Sequence, residues 1–387
     1  MKTVKGNKMK IVTAIDSFKG SMTSMEAGYA AAEGFRRADS SIQVDVRPLA
    51  DGGEGTVEAL VSGMNGILAH SMVTGPLGKP VDAVYGIIPE TMTAVIEMSA
   101  SSGITLISVE ERNPLDATTY GVGELIRDAI GKGCRHFIVG IGGSATNDGG
   151  AGMLQALGFG LFDKEGRQIP FGAKGLELLD SITDENVVPE LKDCSFRIAC
   201  DVTNPLCGTE GCSAVYGPQK GATPSMIMQM DSWLSDYAEL AKKNYPQADA
   251  EQGGTGAAGG LGFAFLTFTN ACLESGIKIV LDETRLEDYI READLVVTGE
   301  GMLDFQTAMG KAPVGVAALA KKYGIPVIAF AGGVTKEAGE CNKNGIDAFF
   351  PIVRGVSTLD DAIKNENAKA NIADTAEQVL RLMQAGI

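Results

Sequence analysis

The sequence predicts an α/β protein in two domains, on three observations. Apolar, strand-like runs alternate with amphipathic stretches at both ends of the chain, the pattern of a parallel sheet with crossover helices. The middle breaks that alternation, with turn signals spaced as in antiparallel strands. The length, 387 residues, exceeds what one domain usually holds. The expectation is a discontinuous Rossmann-like parallel-sheet domain, residues 1–69 and 290–387. A second, mixed-sheet α/β domain with glycine-rich phosphate-binding turns, residues 70–289, is inserted in it.

The elements follow in order. KIVTAI reads as a strand, Ser24 to Phe35 as a helix carrying Met25, Ala32 and Phe35, and QVDVRPLA as a second strand. Met9 resembles a natural start, which would make the first eight residues an extension. The segment ILAHSMVTGPLGKPVDAVYGIIPETMTAVIEM, ending at Met98, contains Gly75-Pro76-Leu77-Gly78 and Pro89-Glu90 and predicts two or three antiparallel strands. Val122, Leu125, Ile126, Ala129 and Ile130 make one stripe of a helix. LVVTG, VIAFAG and AFFPIV restore the alternation, with GVAALAKKY as an intervening helix.

The most informative stretch is GIGGSATNDGGAG, Gly140 to Gly152, between an apolar run and an apolar-patterned MLQALGFGL. Strand, glycine-rich turn and helix are expected, a place where backbone N–H groups can approach an anion such as phosphate. A cap at Asn147 or Asp148 would explain the same residues without a ligand. Similar clusters recur at LADGGEGT, GGTGAAGGLG and TGEGMLDFQTAMGKAP, while DSFKGS and YGPQKGAT place Lys19 and Lys220 in polar turns. Several follow strand-like runs, whose C-terminal ends line the ligand crevice of open α/β sheets. The turns are therefore expected to converge in one cleft between domains, whose closure would exclude water.

Composition narrows the function. A net charge of −16 argues against nucleic acid or an anionic membrane as partner. An anionic substrate then needs local cations, and Lys19, Lys220 and Lys311 are placed to supply them. No apolar run reaches the ~18 residues of a membrane span, and MKTVKGNK is too short and polar for a signal peptide. Seven cysteines, an odd number, predict reduced thiols, small buried filler and a cytoplasmic location. Cys194, Cys200, Cys207 and Cys212 form no CxxC pair, so zinc is disfavoured.

Motif chemistry narrows it further. Gly310-Lys311 is followed by Ala312, and position 305 is Phe, so the P-loop is absent. Gly140-Ile-Gly142-Gly-Ser-Ala145, with Asp163 beyond it, fits a loose dinucleotide pattern but lacks an N-terminal nucleotide half. Two histidines and no GxSxG argue against a serine triad. A kinase without a P-loop needs phosphate donors, a carboxylate for magnesium and a base or aligner for the attacking hydroxyl. The glycine turns at 142–150 and 256–260 suit the first; Asp51, Glu54, Asp148, Asp201, Glu300 and Asp304 are candidates for the rest.

From Met9 almost to the C-terminus, the chain resembles the bacterial glycerate kinases of the glyoxylate and glucarate pathway type. The resemblance rests on DSFKGS, LADGGEGT, RNPL with TTYGVGELI, GIGGSATNDGG, CDVTNPLCG, YGPQKGAT, GAAGGLG and TGEG…GKAP, in that order. It implies a two-domain α/β kinase using ATP and Mg²⁺ to phosphorylate D-glycerate, with 2-phosphoglycerate the usual product.

The catalytic residues expected are Asp201, Asp304, Lys311 and Lys19, with Asp201 or Asp304 orienting the hydroxyl or holding magnesium. Gly142, Gly143, Ser144, Asn147, Asp148, Gly149, Lys220, Gly259 and Gly260 are expected to bind the nucleotide. Ser17, Asp51, Gly52, Gly53, Glu54, Glu300 and Gln306 would bind substrate, and Asp201 and Asp148 the metal. The partner expected is D-glycerate alone, to a monomer or homodimer.

Met302 stands where the family has an arginine and Phe305 where it has a serine. Arginine suits bidentate carboxylate or phosphate binding. The two departures leave open a kinase for another small hydroxy acid, or a non-catalytic metabolite-binding protein.

Overall fold

The computed structural model describes residues 8–53 and 55–386; the first seven residues, Glu54 and Ile387 lie outside them. The chain divides into two compact units, residues 8–51, 58–64 and 277–386, and residues 52–57 and 65–276. These boundaries differ from 69/70 and 289/290. The short segment 52–57 groups with the second unit, and residues 277–290 bury Ile277, Leu286 and Ile290 in a core of the first.

Among the described residues thirteen strands occur in chain order. They are β1 (Lys10–Ile15), β2 (Gln43–Pro48), β3 (Ile67–Thr74), β4 (Pro80–Ile88), β5 (Thr93–Glu97), β6 (His136–Gly140) and β7 (Gly160–Phe162). Then come β8 (Ser181–Thr183), β9 (Ser195–Ala199), β10 (Ala271–Glu274), β11 (Leu295–Leu303), β12 (Val327–Val334) and β13 (Ala348–Pro351).

In the first unit the sheet order is β13-β12-β11-β1-β2, and every pair is parallel. Alternate residues of the same strands enter different cores. Ile11, Ile15, Val297 and Phe330 pack with the helices Ser24–Ala38 and Asn365–Gln384. Val12, Ala14, Val296 and Ala329 pack with the helix Ala312–Lys321. Both faces are covered, which is why these strands read as unbroken apolar runs. From β1 the chain moves one way to β2, and it later returns to β11 on β1's other side and continues outward. The order therefore reverses between β1 and β11, the position where open α/β sheets form their ligand crevice.

In the second unit the order is β10-β9-β6-β5-β4-β3. β3, β4 and β5 form the antiparallel part anticipated from the turn signals, while β5-β6-β9-β10 are parallel. β6 lies at the centre, with Phe137 stacked on Phe196 of β9 at 4.7 Å. The glycine-rich stretch leaves the C-terminal end of β6.

Candidate active site

The turn after β6 is built from the inside outward. Gly143 and Gly149 take left-handed φ of 73° and 62°, the conformation that glycine alone adopts cheaply. Gly149 N donates to Gly259 O at 2.9 Å, so the second glycine cluster packs directly on the first. At Gly259, φ is 67°, and a Cβ there would stand 2.1 Å from Thr146 O. A Cβ at Gly260 would stand 2.7 Å from the Cα of Gly149. Gly259 and Gly260, expected to touch nucleotide, are thus required for backbone packing behind the turn. Within 142–150 only Gly142 and Gly143 are exposed. They are where a ligand can meet main-chain N–H groups.

Asp148 is fully buried. Its Oδ2 accepts from Thr119 N at 2.8 Å, Thr119 Oγ1 at 2.9 Å and Gly152 N at 3.3 Å, and its Oδ1 accepts from Gly150 N at 3.2 Å. Burial raises its pKa, opposed by these same donors. The helix that follows, Ala151–Leu157, has only seven residues. Its N-terminal donors already point at Asp148, so the expected anion site at that helix end is filled by the protein's own carboxylate.

Lys220 is only 2% exposed. Its Nζ donates to Ser144 Oγ at 2.8 Å and Thr146 O at 2.6 Å. Burial pushes its pKa down to about 8, against the attraction of Cys212 and Asp148. The ammonium holds the turn from beneath rather than reaching out of it. Asn147 Nδ2 donates to Ser213 Oγ at 2.8 Å. Asn147 Oδ1 and Thr146 Oγ1 are buried without any hydrogen-bond partner. Buried polar atoms are nearly always paired, so the polar groups of this turn are not all satisfied by the protein.

Also in the second unit, Asp201 follows β9, is exposed, and accepts from Gly276 N through Oδ1 at 3.2 Å. Gly52 has φ of 87°, and a Cβ there would lie 2.5 Å from Gly276 Cα. Gly53 O accepts from Thr56 Oγ1 at 2.8 Å.

The first unit gathers a second set at the C-terminal ends of β1, β2 and β11. The register of β1 on β11 pairs Ile11 with Leu295. Carried along the strands, it sets Asp16 beside Glu300, and Asp16 N donates to Gly299 O at 2.9 Å. Asp16 Oδ1 accepts from Ser17 N at 2.7 Å. Partial burial and the nearby Asp51 push the Asp16 pKa up to about 7, with a smaller push from Glu300 and an opposing pull from Lys19. Glu300 is raised as well, chiefly by burial, and Lys311 opposes that shift. Thr307 Oγ1 donates to Glu300 Oε1 at 2.6 Å. Asp304 caps the turn Phe305–Ala308, accepting from Thr307 N at 3.0 Å. Lys19 and Gln306 are exposed; Ser17 and Lys311 are partly so.

Asp16 and Thr307 were not among the expected site residues. Asp16 directly follows the strand KIVTAI, and the signal that finds it is strand order: its neighbour Glu300 lies far along the chain but one strand away. Met302 and Phe305 are 50% and 57% exposed. Phe305 therefore stands at the surface of its unit instead of filling a pocket within it.

None of the seven cysteines is in a disulfide; Cys134, Cys194, Cys212 and Cys341 are buried, while Cys272 is exposed. Among the described residues, no three His, Cys, Asp or Glu side chains converge on a metal position. No described helix is long and apolar enough to cross a membrane.

The profile of the glycerate kinase family matches residues 11–384. A glycerate 2-kinase of Escherichia coli strain K12 is 48% identical over 372 residues, covering 95% of this chain and 98% of its own. A glycerate kinase of Bacillus subtilis strain 168 is 46% identical over 371 residues, covering 96% and 97%. A solved chain from Salmonella typhimurium LT2, provisionally assigned as glycerate kinase 2, matches with a TM-score of 0.90 at 47% identity, covering 98% of this chain and 99% of that one.

Proposed function

Because this chain belongs to the glycerate kinase family and is an enzyme of that kind, we propose that it transfers the γ-phosphoryl group of ATP, with Mg²⁺, to the 2-hydroxyl of D-glycerate. The observation that carries the reading is the pair of polar sets at strand ends: an exposed glycine turn with unsatisfied polar atoms, and a group of acids with two lysines. The name of the Escherichia coli relative favours the 2-position.

Phosphoryl transfer asks the protein for positioning and charge neutralisation more than for covalent chemistry. The main-chain N–H groups at Gly142 and Gly143 receive phosphate oxygens, with Lys220 fixing the turn below them. Lys19 and Lys311 offset negative charge on the substrates. The glycerate hydroxyl oxygen bonds to phosphorus, and the bond from phosphorus to the β,γ-bridging oxygen breaks. ADP leaves with that electron pair.

Of the two carboxylates expected to hold magnesium, Asp148 does not fit, since hydrogen-bond donors already occupy both its oxygens. Asp201, exposed at a strand end, is the carboxylate that would hold a hard cation. When bound, the ion neutralises charge developing on the phosphates.

With ATP, Mg²⁺ and D-glycerate, the purified protein should form ADP and phosphoglycerate in equal amounts and lose turnover in excess chelator. Undiminished turnover in chelator would remove the metal from the account. Transfer to a different hydroxy acid but not to glycerate would remove the substrate assignment. Lys311→Ala should lower kcat/KM by about one to two decades, because a charge-assisted hydrogen bond contributes roughly 1.5–3 kcal/mol. Near-normal kinetics with an unchanged melting curve would make Lys311 a solvated surface charge.

A further inference from the structure

Resting on the kinase reading, we propose that Asp16 is the proton acceptor for the glycerate hydroxyl. Four observations place it there. Asp16 directly follows β1, at the reversal of strand order between β1 and β11 where open α/β sheets form their ligand crevice. Its main chain is fixed to β11 by the bond to Gly299 O, and one carboxylate oxygen is fixed by Ser17 N. Among the described residues the other oxygen has no protein donor, so it is free to accept a substrate proton. Two further carboxylates, Asp51 from the segment after β2 and Glu300 from β11, act on it electrostatically, as does Lys19 from its own turn.

The competing acids are differently placed. Asp304 serves as the cap of Phe305–Ala308, and Glu300 Oε1 takes the Thr307 hydroxyl. Asp148 is enclosed. A general base works best when its pKa lies close to the working pH, and the neighbouring charges and burial bring Asp16 to about 7. As the hydroxyl oxygen bonds to phosphorus, its proton passes to the free oxygen of Asp16. It later leaves to solvent, so each turnover releases one proton and restores the carboxylate.

The same environment sets a sign for stability. A carboxyl group whose pKa is raised in the folded state stabilises the fold when protonated; that contribution is complete below the unfolded pKa, near ~4, and is lost as pH rises through the folded value, about 7. At pH 8 the folded protein therefore carries an unfavourable charge, and a neutral isostere removes it.

The test is kcat/KM for D-glycerate from pH 5.5 to 9 at saturating Mg-ATP. The wild type should show an acid limb with its midpoint at about 7. Asp16→Asn should lose roughly 10²- to 10⁴-fold at pH 8 and lack that limb, while melting at or above the wild-type temperature. Asp16→Glu should recover part of the loss. Asp51→Asn, which removes a like charge without touching the base, should move the limb to lower pH. The nucleotide's own titration is common to all variants and cancels. Asp16→Asn with wild-type kcat/KM and an unmoved limb overturns the proposal, as does a loss explained by a lower melting temperature. A wild type that fails to phosphorylate glycerate overturns the kinase reading instead, and takes this proposal with it.

Discussion

Asp148→Ala is expected to melt about 10 °C or more below the wild type, from a loss of roughly 3–5 kcal/mol. The carboxylate is fully buried and accepts from Thr119 N, Thr119 Oγ1, Gly150 N and Gly152 N. Alanine leaves all four donors without an acceptor, and each unpaired buried group costs about 1–3 kcal/mol before relaxation. Such a loss is a large fraction of a typical total stability of about 5–15 kcal/mol. Asp148→Asn should not rescue it fully, because its NH₂ group would face N–H donors. Thermal unfolding checks the prediction. A variant with the wild-type melting temperature but a raised Mg²⁺ requirement would restore Asp148 as a metal ligand.

Lys220→Met should do the opposite: lower kcat/KM for ATP by roughly 10²-fold while melting within a few degrees of the wild type. Methionine has a similar length and suits the closed, 2%-exposed site. Removing the ammonium relieves a desolvation cost visible in its pKa of about 8. It also strips the donor from Ser144 Oγ and Thr146 O, and these effects oppose one another in stability. They do not offset one another in activity, since a turn displaced by ~1 Å can cost about 10²-fold.

The pH dependence follows from the sign. Between about 8 and the unfolded value of 10.5, the unfolded chain holds a proton that the folded protein does not, so wild-type stability should rise with pH. Lys220→Met should lack that rise. Normal kinetics in this variant would mean that the turn does not need the lysine.

Much of the fold was legible because its strands are buried on both faces or paired in hairpins, and each leaves its own pattern. LVVTG and VIAFAG are apolar except for Thr298 because residues of both parities enter a core. The antiparallel β3–β5 is announced by Gly75-Pro76 and Pro89. The glycine turn was legible too, since left-handed positions admit little but glycine.

Its internal wiring was not. Lysine is almost always exposed, and nothing local marks Lys220 as buried; its partners lie at Ser144 and Thr146. Asp148 reads equally as ligand or cap, and only its four donors decide. Asp16 was passed over because its electrostatic partners, Asp51 and Glu300, are brought to it by strand order rather than by spacing. The unit boundary at 276/277 is not legible because the helix Gly276–Glu283 runs across it without any break in composition.

The central claim is transfer of a phosphoryl group from ATP to the 2-hydroxyl of D-glycerate. Phosphorus-to-proton correlation by NMR on the product of a single incubation tests it most directly. The account predicts coupling of the new phosphate to the proton on C2, with one ADP per phosphoglycerate. Coupling to the C3 protons, or ADP formed without any phosphoglycerate, would contradict it.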